Sequence, residues 1–239
     1  MHSASPTDPS AHSPTGWDHP RLLSVNVGQL QALVPTATTA AARKRSGIRK
    51  YPVDSPVLCD AQGLVGDAVG NRKHHGGPDQ AIYLYSAEDY AWWSATLSQP
   101  CAPGLFGENL TIDRWWPSPR VGDRVRWGDV LLELTAPRIP CSTLATRMDD
   151  PRFVKRFADA VRPGAYARVL HHGVIESGMS GVVTPGNPSY PSIDALFALW
   201  HRTPRDRSAL IATLAAPLAE RLHHTFLGWI GESAARGAV

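Results

Sequence analysis

The chain is short of cysteine, of net charge and of long apolar runs, and each shortage excludes something. Its three cysteines, Cys59, Cys101 and Cys141, stand far apart in 239 residues, with no CxxC pair. That pattern excludes a disulfide framework, a structural zinc site and an iron–sulfur cluster, and it suits a reducing compartment such as the cytoplasm. No stretch reaches the ~18 apolar residues of a membrane-spanning helix, so no membrane partner is expected. Lys and Arg number 24 against 21 Asp and Glu, a net charge of +3, and charged residues make up only 19%. So mild an excess gives no reason to expect nucleic acid. GxSxG, a strand-to-helix GxGxxG and a Walker A sequence are all absent, which removes α/β-hydrolase, dinucleotide and P-loop chemistry. The paired histidines at 74/75, 171/172 and 223/224 lack HExxH spacing. Neighbours in a strand point to opposite faces, so no one pair makes a zinc site.

What is present is a packable chain, 43% hydrophobic, of a length for one large domain or a domain with an appendage. Residues 1–20 carry four Pro with Ser, Thr and His and read as a disordered leader. Structure is expected from Leu22, where LLSVNVG reads as a strand ending at Gly28. From there to about residue 184 short apolar runs (YPVDSPVLC, AIYLYS, DRVRWGDVLLELT, YARVLHHGVIESG) alternate with Gly, Pro and Asp. VRWGDVLLEL predicts two strands around a Gly-Asp turn, and YARVLHHGVIESG a second hairpin turning at His-Gly. Two helices interrupt the strands, one capped by Ser86 and one beginning with Asp150 before Pro151. Many short strands with few helices predict a mainly β fold with helices (α+β), closed or half-closed into a barrel.

After TPGNPSYP the period becomes 3.6. Ile193, Leu196, Phe197 and Trp200 line one helix face behind Ser192; Thr203 before Pro204 reads as a second cap; Leu218, Leu222, Phe226 and Trp229 form another stripe. Residues 190–235 thus read as a small C-terminal three-helix appendage. Its stripes suit packing on the barrel, pairing of two copies as a homodimer, or docking of a partner, and packing is the preferred reading.

Four segments carry candidate chemistry. The first joins GLVGD, ending at Asp67, to His74-His75-Gly76-Gly77-Pro78-Asp79; such dense glycine lets backbone amides approach a ligand, or simply forms tight turns. The second, PGLFGENL, sets Gly107 beside Glu108 and Asn109, which either orient a ligand or cap the loop. In the third, Pro137-Arg138-Ile139-Pro140-Cys141, two prolines fix the backbone and Arg138 favours a thiolate. Such a thiol suits a metal ligand or a nucleophile, although a half-buried structural Cys has the same look. Cys59 and Cys101 lack these surroundings and receive no role. The fourth, Arg43 to Lys50, packs five cations into eight residues, either a solvated loop or a site for a phosphate-like anion.

Together these segments resemble the MOSC family, named for the C-terminal part of molybdenum cofactor sulfurases. The resemblance runs over residues 21–185 through GIRKYPV, GLVGD, HHGGPDQAIYLYSAEDYAWW, PGLFGENLT, VGDRVRWGDVLLELTAPRIPC, DPRFVKRFADAVRPGAYARVL and HHGVIESG, in that order. The appended helices resemble those of the stand-alone YiiM-like branch. Pyridoxal phosphate is associated with the sulfurases, but their pyridoxal-phosphate domain is not found in this chain. Gly178-Met179 stands where the family commonly has Gly-Asp, and only a local effect is expected.

The resemblance implies a MOSC-type β-barrel that binds the molybdenum cofactor, molybdopterin, with Cys141 supplying a thiolate to molybdenum. It implies a reductase acting on a small-molecule N-hydroxylated substrate, among hydroxylaminopurines, hydroxylamines and amidoximes. An external electron donor, a flavin or iron–sulfur reductase, would reset the metal. On this basis Arg45, Arg49 and Lys50 would neutralise the cofactor phosphate, with backbone at Gly76, Gly77 and Gly107 approaching the pterin. His75, Asp67, Glu108, Asn109 and Arg138 would orient cofactor or substrate, His75 and Asp67 with a catalytic part. The alternative is a non-catalytic carrier of the cofactor, or of a persulfide on Cys141.

Overall fold

The computed structural model describes residues 19–33, 45–70 and 76–236. Its strands are β1 (Leu22–Gly28), β2 (Gln31–Ala32), β3 (Arg45–Ser46), β4 (Lys50–Pro52), β5 (Val57–Asp60), β6 (Gly63–Leu64), β7 (Ile82–Ser86), β8 (Leu110–Ile112), β9 (Arg124–Trp127), β10 (Val130–Pro137), β11 (Ala165–His171), β12 (Gly173–Ile175) and β13 (Val182–Thr184). The α-helices are α1 (Ala87–Leu97), α2 (Ser142–Arg147), α3 (Phe153–Ala160), α4 (Ile193–His201), α5 (Arg207–Thr213) and α6 (Glu220–Arg236). Eight strands form one mixed sheet in the order β13-β9-β10-β11-β7-β8-β1-β4, with only β7 and β8 parallel; β12-β5-β6 and β2-β3 pair separately. The fold is mixed α+β, as expected.

The sheet curls until its two sides meet. Leu22 N donates to Met179 O, the carbonyls of Leu22 and Pro20 accept from Gly178 N and Gly181 N, and Arg21 bridges Ser180. The expected leader therefore ends too late: His19 Nδ1 contacts the Gly181 carbonyl at 3.0 Å, and the Pro20 carbonyl accepts from Gly181 N and Trp127 Nε1. Residues 1–18 lie outside the described residues.

Strand β7 shows how period two builds two cores. Ile82 and Leu84 face one cluster with Leu22, Leu110, Ile112, Leu132 and Leu134. Tyr83 and Tyr85 face the other, an aromatic cluster with Tyr90, Trp93, Phe106, Phe153 and Phe157. Ring centroids there lie 5.1–6.3 Å apart, in the range where aromatic pairs attract. Ser86 caps α1 as its sequence predicts, its hydroxyl accepting from Asp89 N at 3.0 Å.

Three local expectations need correction. The run at His171-His172-Gly173 is no hairpin: β12 leaves β11 and pairs with β5, Val174 opposite Leu58. Asp150 does not cap α3. Its carbonyl accepts from Phe153 N and its carboxylate from Arg152 N, closing a turn that delays the helix to Phe153. Asp206, not Thr203, caps α5, because its carboxylate lies three residues before Ala209 N and accepts from it at 3.0 Å. All three depend on contacts that compete with the local signal.

The three C-terminal helices pack on the sheet. Leu196, Leu210, Leu218, Leu222 and Phe226 are buried in the same cluster as the strands, with Trp200 and Trp229 half-buried against it. Polar contacts fix the start of α6: Ala219 N donates to Thr135 O, Glu220 N to the Asp79 carboxylate at 2.9 Å, and Arg168 Nη2 to the carbonyls of Pro217 and Leu218. No helix among the described residues is long and apolar enough to cross a membrane.

Candidate active site

Strand β10 runs buried into Pro137-Arg138-Ile139-Pro140, and Cys141 follows at the residue before α2. Cys141 and Arg138 line a cleft with Arg45, Gly47, Lys50, Asp67, Gly76, Gly107, Asn109 and Tyr166 among its walls. The four segments picked out from the sequence thus converge here from distant parts of the chain.

One wall is an ion-pair network. Lys50, only 7% exposed, is bonded to the Asp67 carboxylate. Asp67 also accepts from Gly28 N at 2.8 Å and from Asn109 Nδ2 at 2.9 Å. Asn109 Oδ1 in turn accepts from Tyr83 N at 3.2 Å. Burial pulls the Lys50 ammonium below its ordinary pKa, against the attraction of Asp67 and Glu108. The Lys50 charge is therefore already neutralised within the protein, and Asp67 serves as a strut joining three segments.

Behind this wall stands Glu108. It is fully buried and does not line the cleft. Its Oε1 accepts from Tyr90 OH at 2.7 Å, Gly104 N at 2.5 Å and Thr111 OH at 2.9 Å. Burial nevertheless raises its pKa. Glu108 thus shapes the loop that carries Gly107. Gly107 has φ +82°, and a Cβ there would meet Ile48 Cγ1 at 2.9 Å, so only glycine lets that loop close on the 45–48 segment.

The opposite wall is different. Arg138 is 4% exposed, its guanidinium 5.6 Å from the Tyr83 ring centroid and 5.4 Å from that of Phe157. Burial opposes its charge, but Tyr83, Tyr166 and Cys141 outweigh that and hold it protonated. Its buried Nη1 has no hydrogen-bond partner among the described residues. A buried guanidinium N–H of this kind is costly unless an anion meets it.

Arg45 lines the cleft and donates to Leu30 O at 2.6 Å. Arg49 does not line it; its Nη2 reaches Leu33 O at 3.5 Å. Gly77 precedes the 3₁₀ turn Pro78–Gln80, outside the cleft wall. His75, with His74, Arg43 and Lys44, lies outside the described residues. Sequence reasoning missed Tyr83, Tyr166, Gln80 and Thr143 in the lining. A signal existed in IYLYS, where hydroxyl-bearing rings recur every second residue in an otherwise apolar strand. Burial raises the pKa of both Tyr83 and Tyr166.

Residues 71–180 match the MOSC domain family. The chain is 32% identical over 158 residues to an uncharacterised protein, YflK, of Bacillus subtilis, covering 66% of this chain and 70% of that one. The chain belongs to the MOSC family. Within it this MOSC protein is YiiM-like. It superposes on the crystal structure of YiiM from Geobacillus stearothermophilus with a TM-score of 0.73 at 28% identity, covering 88% of this chain and 99% of that one. It is 38% identical over 111 residues to YiiM of Escherichia coli, covering 44% of this chain and 49% of that protein. A protein named reductase from Gibberella moniliformis is 38% identical over 140 residues, 56% of this chain and 24% of its own length.

Cofactor fit follows from this geometry. MOSC domains are associated with the molybdenum cofactor, an anionic pterin dithiolene. The buried, unpartnered Arg138 Nη1 suits an anion, and the Cys141 sulfur on the same cleft suits a soft metal.

Proposed function

We propose that this MOSC protein holds molybdenum cofactor in the cleft at Cys141 and reduces N-hydroxylated compounds with electrons from an external donor. The observation that carries the reading is the buried Arg138 Nη1, without a hydrogen-bond partner among the described residues, on the same cleft as Cys141. Family membership and the reductase-named relative agree with it.

Cys141 would supply the protein's thiolate to the metal. Arg138 and Arg45 would meet the cofactor's negative charge, since Lys50 is committed to Asp67. Backbone at Gly47, Gly76 and Gly107 would lie along the pterin, and Asn109 fixes that wall through Asp67. When bound, the cofactor supplies a two-electron centre able to accept the oxygen of an N–OH group. The overall change is R–NHOH plus two electrons and two protons giving R–NH₂ and water, with the electrons drawn from a flavin or iron–sulfur donor. Tyr83 and Tyr166, which line the cleft, keep their protons at neutral pH because burial raises their pKa.

The test is molybdenum content by elemental mass spectrometry after expression in a cofactor-competent, molybdate-fed host, followed by turnover of benzamidoxime with a chemical reductant. Near-stoichiometric metal in the wild type, its loss in Cys141→Ser with an unchanged melting curve, and amidine formation would support the proposal. Metal without turnover would favour a carrier. No metal in either protein would overturn the cofactor assignment.

A further inference from the structure

Two arginines flank the first cleft without entering it. Arg49 stands between Ile48 and Lys50, and Arg147 lies one turn of α2 past Thr143; those three neighbours line the cleft and the arginines do not. Both are partly buried. The Nε of each is buried and has no hydrogen-bond partner among the described residues. Arg49 Nη2 reaches the Leu33 carbonyl at 3.5 Å, the outer limit of such a bond. Neither arginine forms an ion pair among the described residues. Asp150, three residues after Arg147, is taken by Arg156 and by the amide of Arg152. Burial and the charge of Arg49 lower the Arg147 pKa, with Tyr51 and Tyr90 opposing them and no carboxylate doing so.

We propose that Arg49 and Arg147 form a phosphate site outside the first cleft, taking a phosphate dianion either free or as a monoester. Like charges held together with unmade donors cost free energy, and an anion between them restores it. A phosphate monoester carries about −1.5 to −2 charge at pH 7 and three acceptor oxygens. It can therefore face two planar guanidinium forks at once, whereas a carboxylate offers a single edge. The exposed Tyr51 ring, close enough for the Arg147 charge to feel it, offers a surface to the organic part of an ester. The cations that line the first cleft are Arg45, Lys50 and Arg138, so a ligand seated there leaves this pair unmet. Such a site needs nothing from the reductase reading.

The test is calorimetry at fixed ionic strength with inorganic phosphate, phenyl phosphate and benzoate. The full chain is prepared both from a host that lacks molybdenum cofactor and from a molybdate-fed, cofactor-competent one. Wild type of both kinds should bind the two phosphates and not benzoate. Arg49→Gln and Arg147→Gln should each weaken phosphate about tenfold, Arg147→Lys about threefold, and the double Gln variant should abolish binding. Phosphate should raise the melting temperature of wild type and not of that double variant. Melting curves verify folding, and Lys variants stand in where Gln unfolds the chain. Equal affinity for the two phosphates marks a free-ion site; tighter phenyl phosphate, weakened in Tyr51→Ala, marks an ester site. No phosphate binding to wild type, or unchanged affinity in the folded double variant, would overturn the site. Binding confined to the cofactor-free chain would overturn its separateness and give the pair to the cofactor's own phosphate. Absence of molybdenum from every preparation would count against the reductase reading and leave the phosphate result standing.

Discussion

On one side of the first cleft Lys50, Asp67 and Asn109 bond to one another and to the backbone of Gly28 and Tyr83; on the other, Arg138 keeps a buried Nη1 without a partner among the described residues. Both sides are buried and charged. A satisfied polar network rigidifies a structure, whereas an unsatisfied one costs stability that only a ligand restores. The first wall is accordingly scaffold, and the second holds the buried donor that the proposed cofactor would meet.

Four variants would break or sharpen that contrast, in descending order of their effect on stability. Lys50→Met removes one member of a buried ion pair and strands Asp67, and should cost roughly 3–5 kcal/mol in chemical denaturation. A loss below about 1 kcal/mol would mean that the wall is no scaffold. Glu108→Gln should act through pH. The raised carboxyl pKa in the folded chain means that its contribution is fully present below the ordinary carboxyl value of 4.5 and is lost as pH rises through the folded pKa. The melting temperature of wild type should therefore fall over that interval relative to Glu108→Gln, and parallel profiles would refute it. Arg138→Met should change the stability of the cofactor-free chain by less than about 1 kcal/mol, because Met keeps contact with Tyr83 and Phe157 while the buried charge is gone. Its loss should appear instead as molybdenum retention, measured after dialysis. Cys141→Ser should be the mildest for stability and the most severe for metal.

Much of the fold could be read from local pattern. LLSVNVG forms β1 from Leu22 to Gly28, the Gly-Asp turn joins β9 to β10, and the stripes at Leu196, Leu222 and Phe226 are buried. What escaped was decided at long range. The exit of β12 from its expected hairpin depends on β5, more than a hundred residues earlier. The site was legible as a set of segments and illegible as a set of roles. Nothing near Lys50 in the chain announces that Asp67 will neutralise it, and Glu108 reads as a loop acid until Tyr90, Gly104 and Thr111 surround it. Arg138 stood out only for its place beside Pro140-Cys141; the unpartnered state of its Nη1 is a property of the packed molecule.

The bonds that fix the start of α6 bear on where this protein can be cut. A chain ended at residue 189 would keep every strand of the large sheet, yet Thr135 O and the Asp79 carboxylate would lose the amides of Ala219 and Glu220, and Arg168 the carbonyls it holds. The same cut would bare the apolar surface now covered by Leu196, Leu210 and Phe226. The helices are therefore no detachable tag on a self-sufficient sheet. Such a truncation should be recovered as aggregate, and the sheet transplanted into another protein would have to bring its three helices along.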